Sequence, residues 1–562
     1  MENKKQKRTF KPNEVTKVTS IKEMLKMAVK EDGDKVAFKY KGKDDRIVQV
    51  IYKQFVRDTQ ELGTALASIG MQDKHIAMIG ENSYKWLTTY LTVLQSTGVF
   101  VPIDKELTVK EIINVLKHSD SEVLFYSERY EKWIQEIKSE VPNIKFFIGL
   151  DRKNNEGNEL SYDLFKETGR KVLEQGSTIF TDLKDDVNNL KLLIYTSGTT
   201  GTPKGVMLTE RNLMSVVYYG LQTAHIETRS LSVLPYHHTY EAVAGILVGL
   251  HKHVCICIND SLKNVLKNIQ LFKPDYIYLV PAFTEVFHKN IWANAEKTGK
   301  AKVLRKIIPV SNGLRKVGID LRKVFFKSIH EAFGGNLKEL VCGGAPIRPE
   351  IGKFFNDIGI DLYNGYGISE CSPLVSVNND YYNDSTTVGH ILPCCELKFE
   401  NVTPEGDGEV WVKGDIVMKG YYKDQEKTDR VLKDGWFNTE DYGRLNKKGQ
   451  LIINGRKKNM IVLDNGKNIY PEELENYILG IPYVQEVVVK GKKNEIGQEV
   501  ALIAEVFPNQ DKVQELKIEN LEEKLKADIS EACKDLPIYK RISNVEIRKE
   551  EFAKTTTNKI KR

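Results

Sequence analysis

Short apolar runs alternate with amphipathic helical stretches along the first quarter of the chain, and that rhythm leaves few folds open. Residues 52–69 carry Phe55, Leu62, Leu66 and Ile69 at helical spacing, and Gly70 follows as a stop. Ile76 to Ile79 reads as a buried strand. Asn82 is placed to cap a helix whose apolar face holds Trp86, Tyr90 and Leu94. Val99 to Ile103 is a strand, 108–117 a helix and Val123 to Tyr126 another strand. Such a β–α–β–α order predicts a parallel sheet covered by helices.

The rhythm returns later, with strands at Leu231–Leu234, Val254–Ile258 and Tyr276–Val280 and a helix at 261–272. Residues 386–453 change character and alternate like antiparallel strands, as in Gly408-Glu409-Val410-Trp411-Val412. After Gly455-Arg456-Lys457-Lys458-Asn459 the pattern resets to a helix near 471–479, strands near 485–490 and 499–506, and a helix near 519–534. A chain of 562 residues exceeds what one ordinary core supports. The expected fold class is therefore α/β. A large N-terminal body (1–455) comprises two stacked α/β subdomains plus a distorted β-barrel, and a small mobile α+β domain follows (456–562).

Charge narrows the partners. With 83 basic and 77 acidic residues the formal net charge is +6, which does not favour nucleic acid. Seven scattered cysteines fit reduced thiols. Cys255 with Cys257, and Cys394 with Cys395, read as packing rather than metal ligands. Met1 to Arg8 is basic but precedes no apolar core, so it is not a secretory signal. It reads as a solvated tail, with transient attraction to anionic lipid as the sharper alternative. The longest apolar run, Ala242 to Leu250, is about half of what spans a bilayer. The expected location is the cytoplasm, with peripheral contact at the inner membrane face left open; oligomeric state is also open.

The chemistry concentrates at 192–208, Leu-Leu-Ile-Tyr-Thr-Ser-Gly-Thr-Thr-Gly-Thr-Pro-Lys-Gly-Val-Met-Leu. Gly198 and Gly201 let backbone N–H groups turn toward an anion. Thr196, Ser197, Thr199, Thr200 and Thr202 supply hydroxyls, Lys204 supplies positive charge, and Thr209 is placed to cap a helix. A Walker-type loop fails on spacing, since Pro203 precedes Lys204 and Gly205 follows it.

Tyr195 to Val206 resembles the phosphate loop of adenylate-forming enzymes: acyl-CoA synthetases, peptide-synthetase adenylation domains and firefly-type luciferases. Further segments resemble that family's motifs in the expected order. Leu234-Pro235-Tyr236-His237-His238-Thr239-Tyr240-Glu241 is similar to the motif bordering the acyl site, with His238 at the matching position. Gly343-Gly344-Ala345-Pro346 resembles the backbone that lines adenine. In Tyr363-Asn364-Gly365-Tyr366-Gly367-Ile368-Ser369-Glu370 the resemblance makes Tyr366 the adenine-stacking aromatic, Ser369 the α-phosphate hydroxyl and Glu370 a magnesium ligand. Thr196 is its partner at the metal, and Asn364 and Gly367 belong to the same nucleotide-binding segment. Asp441 matches the ribose carboxylate, although Glu440 stands where the family has Gly. Arg456 matches an arginine on ribose and phosphate, and Lys458 matches the hinge. Lys559, in the tail Lys554–Arg562, matches the catalytic lysine, with Asn558 in place of the usual Gly.

The resemblance implies ATP, Mg2+ and coenzyme A, and a carboxylic acid activated as its acyl-adenylate and then passed to a thiol. The 280–343 spacer and the run Asn465-Gly466-Lys467-Asn468-Ile469-Tyr470-Pro471 look most like long-chain fatty acyl-CoA synthetases. Two rivals stand beside this: a ligase loading an acyl carrier protein, and a protein that binds acyl-adenylate without turnover.

Overall fold

The computed structural model describes residues 11–184, 186–196, 204–464, 467–494, 499–534, 536–554 and 560–562. The chain forms two compact units. One comprises Met1–Ala345, Glu350–Glu396 and Val412–Phe437, the other Pro346–Pro349, Leu397–Trp411 and Asn438–Arg562. This division runs earlier than 455/456. The antiparallel ladder between strands Trp436–Leu445 and Leu451–Arg456 groups residues 438–455 with the C-terminal part.

The first unit contains two large sheets. In one, Leu190–Thr196, Val99–Ile103, His75–Ile79, Val123–Tyr126, Phe146–Gly149 and Glu159–Ser161 run parallel in that spatial order. Lys204–Thr209 and Gly420–Tyr421 extend its edge antiparallel. The other places Asp361–Tyr366, Glu339–Cys342, Tyr276–Leu279, Arg229–Ser232, Cys255–Ile258 and Val36–Lys41 side by side in parallel. Antiparallel strands close both of its ends. The two βα blocks expected from the sequence correspond to these sheets. The Cys255 and Cys257 thiols lie buried in a strand of the second.

Helices lie between the sheets. Trp86, on helix Tyr84–Gln95, packs edge-on against Phe100 of the first sheet at 5.2 Å between centroids, and at the same distance against Tyr236 beyond the second. Every residue from Trp86 to Gln95 is buried, as befits a helix covered on two sides. Its threonines satisfy their hydroxyls on the helix backbone itself: Thr88 donates to Tyr84 O at 2.9 Å and Thr92 to Thr88 O at 2.7 Å.

Two local expectations shift. The cap of that helix is Ser83, which accepts from the Trp86 N–H at 3.2 Å, whereas Asn82 spans to the other sheet. It donates to Leu234 O at 2.8 Å and accepts from Tyr236 N at 3.1 Å. Strand Arg229–Ser232 ends before Leu234, because the chain turns there into the His237–His238 segment. Residues expected as a distorted barrel take part in a five-stranded sheet, in the order Cys395–Glu400, Gly408–Gly414, Trp436–Leu445 and Leu432–Lys433, with Leu451–Arg456 paired to Trp436–Leu445.

In the second unit, strands Val484–Lys493 and Glu499–Pro508 pair antiparallel, and Ile542–Ile547 adds in parallel. Helices Pro471–Ile478 and Leu521–Ala532 contribute Leu474, Ile478, Leu525 and Ile529 to a core shared with Val487 and Val506. Among the described residues no helix is long and apolar enough to cross a membrane.

Thr209 does cap the helix Glu210–Thr223: its hydroxyl accepts from Asn212 N while Asn212 reaches back to Thr209 N. Thr209→Ala should lower unfolding stability by about 1 kcal/mol in urea titration.

Candidate active site

The site is built at the carboxyl ends of the parallel strands, where open α/β sheets bind ligands. Thr196 ends one strand and Lys204 begins the next, and the two are cross-strand partners. Ser197, Gly198, Thr199, Thr200, Gly201 and Thr202, between them, lie outside the described residues, as does Lys559. The Lys204 ammonium lies 5.7 Å from the centre of the Tyr421 ring. Tyr421 sits on the adjoining edge strand opposite Val206 and donates its hydroxyl to Glu370 Oε1 at 2.9 Å. Met418 N donates to Glu370 O at 2.9 Å. Glu370 is thus tied by side chain and backbone to the edge that carries Lys204, and it is only half-buried. Sequence reasoning missed Tyr421; its signal is the Gly420-Tyr421-Tyr422 run, where two aromatics follow a glycine.

Ser369 precedes Glu370 in the same short turn, and its hydroxyl lies 3.2 Å from Thr239 Oγ1. That contact brings together two motifs 130 residues apart. Thr239 leads into Tyr240–Leu247, which winds as a π-helix, its widened turns evident where Val248 N donates to Val243 O. Such turns recur at functional sites. Tyr240 donates its hydroxyl to Val341 O at 2.9 Å, on the strand that leads into Gly343-Gly344-Ala345. Gly344 has φ +82°, and Gly344 and Ala345 expose their backbone. Pro346 is assigned to the second unit.

The paired histidines divide. His237 is buried, with Nε2 3.2 Å from Asp104 Oδ1. Burial first, then His238 and Lys105, push its pKa well below the usual histidine value. His238 is partly exposed, its ring 4.2 Å from that of His237.

Tyr366 closes strand Asp361–Tyr366 and is half-exposed. Asn364, one turn of the pleat earlier, is buried and donates to Thr387 O at 3.0 Å, so its amide is spent within the protein. Gly367 has no room for a side chain: a Cβ would fall 1.5 Å from Pro373 O. Gly367→Ala should displace the Ser369–Glu370 turn, and nucleotide binding by titration calorimetry should weaken at least ~10-fold.

In the second unit, Asp441 and Arg456 are cross-strand partners, with Arg456 Nε 3.2 Å from the buried Asp441 Oδ1. Glu440 has φ +58°, the left-handed conformation that explains a glycine preference at this position. The turn is braced by Asn438, which accepts from Glu440 N at 2.9 Å, and by Thr439, which accepts from Asp441 N at 3.1 Å. Next to Arg456, Lys457 donates to buried Glu409 at 2.5 Å. Burial alone would raise the Glu409 pKa, but hydrogen bonds from Lys457, Asn401 and Asn438 hold it below the usual range. Lys458 is exposed in the turn Lys457–Asn459. Among the described residues no group of three His, Cys, Asp or Glu forms a metal cluster.

Beside this site, Glu241 is fully buried on the π-helix and accepts from Ser232 Oγ at 2.5 Å. Burial raises its pKa to about 8. From roughly pH 4.3, where an unfolded glutamate ionises, the folded chain retains a proton that the unfolded chain has lost. Stability therefore falls as pH rises from there to about 8, by up to ~1.4 kcal/mol per unit. Glu241→Gln should flatten that slope in denaturant titrations across this range.

A family model described as AMP-binding enzyme matches residues 25–422, and one described as AMP-binding enzyme C-terminal domain matches residues 458–562. Among curated proteins, the chain is 29% identical over 473 residues to the long-chain-fatty-acid–CoA ligase FadD15 of Mycobacterium tuberculosis, covering 79% of this chain and 75% of that one. It is 26% identical over 588 residues to the chloroplastic long-chain-fatty-acid–[acyl-carrier-protein] ligase AEE15 of Arabidopsis thaliana, covering 90% and 79%. Two solved structures share the fold. The anthranilate CoA ligase AuaEII in complex with anthranoyl-AMP has a TM-score of 0.75 at 19% identity, with 96% and 95% of the chains covered. The adenylation domain of a Mycobacterium chelonae carboxylate reductase has a TM-score of 0.76 at 21% identity, with 96% and 88% covered.

Proposed function

The chain belongs to the AMP-binding enzyme family, and on that premise we propose that it is an ATP-dependent acid–thiol ligase acting on a long-chain fatty acid, with coenzyme A as acceptor. One observation carries the reading: Glu370, Tyr421 and Lys204 form a connected group at the edge that bears the phosphate-loop motif. The names of the curated relatives point to the acid class.

A carboxylate is a poor acylating agent, so it must first gain a good leaving group. In the proposed first step a carboxylate oxygen attacks the α-phosphorus of ATP. A new O–P bond forms, the bond to pyrophosphate breaks, and pyrophosphate departs with that electron pair. Charge stays on phosphate oxygens throughout, so positioning and electrostatic complement supply most of the catalysis. Lys204 would neutralise phosphate charge from the strand start, and the Ser369 hydroxyl would donate to the α-phosphate. Tyr366 would stack on adenine beside the exposed Gly344 and Ala345. By resemblance, Asp441 would accept from the ribose hydroxyls, Arg456 would hold ribose and phosphate, and Lys559 would bridge carboxylate and α-phosphate.

Glu370 and Thr196 suit magnesium: both offer hard, half-buried oxygens, and this ion is commonly held by one or two protein oxygens plus substrate phosphates. When bound it would neutralise charge on the departing pyrophosphate.

In the second step the thiol sulfur gives up its proton and attacks the acyl carbonyl, and AMP leaves with the C–O electron pair. Lys458 is the proposed pivot between the two half-reactions. The acceptor has a second candidate, because one relative is named as an acyl-carrier-protein ligase.

Lys559→Ala should reduce acid-dependent pyrophosphate release at least ~100-fold, while thioester formation from supplied acyl-adenylate persists. Equal loss of both half-reactions would sink that role. With the intact enzyme, steady release that needs a long-chain acid and CoA supports the reading. A single-turnover burst restarted only by an acyl carrier protein would move the acceptor.

A further inference from the structure

Between the adjacent parallel strands Tyr276–Leu279 and Glu339–Cys342 the chain makes a long helical excursion. It leaves the sheet at Val280, whose side chain lies beside Gly344, and comprises helices Pro281–Lys297, Ala301–Lys316, Arg322–Phe325 and Lys327–Ala332. Its charge is anomalous. From Lys297 to Lys327 there are ten lysines and arginines and one acid, Asp320, a net +9 within a chain whose total is +6, so the remaining residues sum to −3. Asp320 is consumed by Arg322 at 2.7 Å. Lys297, Lys300, Lys302, Lys306, Lys316 and Lys323 are exposed and take no ion pair among the described residues.

The apolar pattern is equally unusual. Val303, Val310 and Val317 are exposed by 59%, 56% and 72%, and Val324 by 68%. The first three recur every seven residues, which places them on one side along helix Ala301–Lys316 and its exit. Leu304 and Ser311, the two buried residues of that helix, lie about 100° round it from the valine line. A stripe of bare valines between lysines does not serve solubility, and none of the described residues covers it.

We propose that this excursion is a docking surface for an anionic lipid bilayer, with Val303, Val310 and Val317 entering the interface and the flanking lysines resting on lipid phosphates. Two chemistries act together in such a surface: apolar side chains gain burial, and cations are drawn to the surface potential within a Debye length. Both features lie on one excursion, which favours lipid over a nucleic acid. A nucleic-acid groove would present stacking aromatics, whereas Phe326 is buried and Phe325 half-buried here. The function proposed above supplies a purpose, since a long-chain acid partitions into bilayers, but the binding claim does not depend on it.

The test is co-sedimentation of the full chain with vesicles of phosphatidylcholine alone or with ~30% phosphatidylglycerol. Expected is binding to the anionic vesicles, weakened at least ~10-fold between 0.05 and 0.5 M salt as screening tightens, and little binding to the neutral ones. Lys302→Glu/Lys306→Glu/Lys316→Glu/Lys323→Glu should abolish sedimentation. Val303→Ser/Val310→Ser/Val317→Ser should weaken it severalfold while keeping the salt dependence. These residues are exposed and belong to none of the nucleotide motifs, so both variants should keep wild-type thermal unfolding and ligation of a short soluble acid. The proposal is overturned if the wild type ignores anionic vesicles at low salt, or if the folded four-glutamate variant sediments as well as wild type. It is equally overturned if the serine variant binds as wild type while a single-stranded oligonucleotide competes fully, which would make the surface a general polyanion patch. Loss of ligation with vesicle binding intact would count against the function alone.

Discussion

The hairpin that flanks the phosphate loop is fixed by one buried ion pair. Lys191 lies near the outer end of one strand and Glu210 opens the helix that follows the other, and both are almost wholly removed from solvent, 3.8 Å apart. Lys191 also donates to Ser96 O at 2.6 Å, and Glu210 accepts from Ile21 N at 2.8 Å. A buried charge left unpaired is far more costly than the pair itself is stabilising, so such a pair acts chiefly as a register device. A slip of one residue would bury a lone ammonium. Thr196 then faces Lys204, Val206 faces Tyr421, and Tyr421 meets Glu370. The chemistry at one end of the ladder inherits its placement from the electrostatics at the other.

Much of this was legible in sequence because β–α alternation is a local signal. The strands at Val99–Ile103 and Val123–Tyr126 fall where their apolar runs do. What escaped was what depends on partners distant in the chain. Helix Tyr84–Gln95 reads as amphipathic from Trp86, Tyr90 and Leu94, yet its threonines are buried too. Nothing in three threonines announces that a second sheet will cover them. The strand Ile542–Ile547 was missed for a similar reason. Its pattern of half-buried and exposed residues is weak, and its place is set by pairing with Glu499–Pro508.

The candidate site divides the same way. Its motifs are contiguous, so their residues were named without the structure, but their connections are not. Ser369 with Thr239, Tyr240 with Val341 and Tyr421 with Glu370 each span at least fifty residues. Tyr421 was overlooked because it lies in none of the motifs, and Glu241, which closes one, was given no role; each is defined by what it touches. Glu440 shows the converse. Its departure from glycine put the backbone angle in question, and the angle is indeed left-handed. The Asn438 and Thr439 side chains accept hydrogen bonds from the Glu440 and Asp441 backbone and brace a conformation that a glutamate would otherwise avoid.

The excursion at 281–338 has one further property. Its two ends join neighbouring strands of one sheet, a spacing of about 4.8 Å, so the sheet does not register how far the chain travels in between. The entropic cost of lengthening such a detour grows only logarithmically. The segment is therefore free to drift in length and surface chemistry while the strands that carry the nucleotide motifs stay put. A chain built this way can be refitted to a new environment at its periphery without renegotiating its catalytic frame.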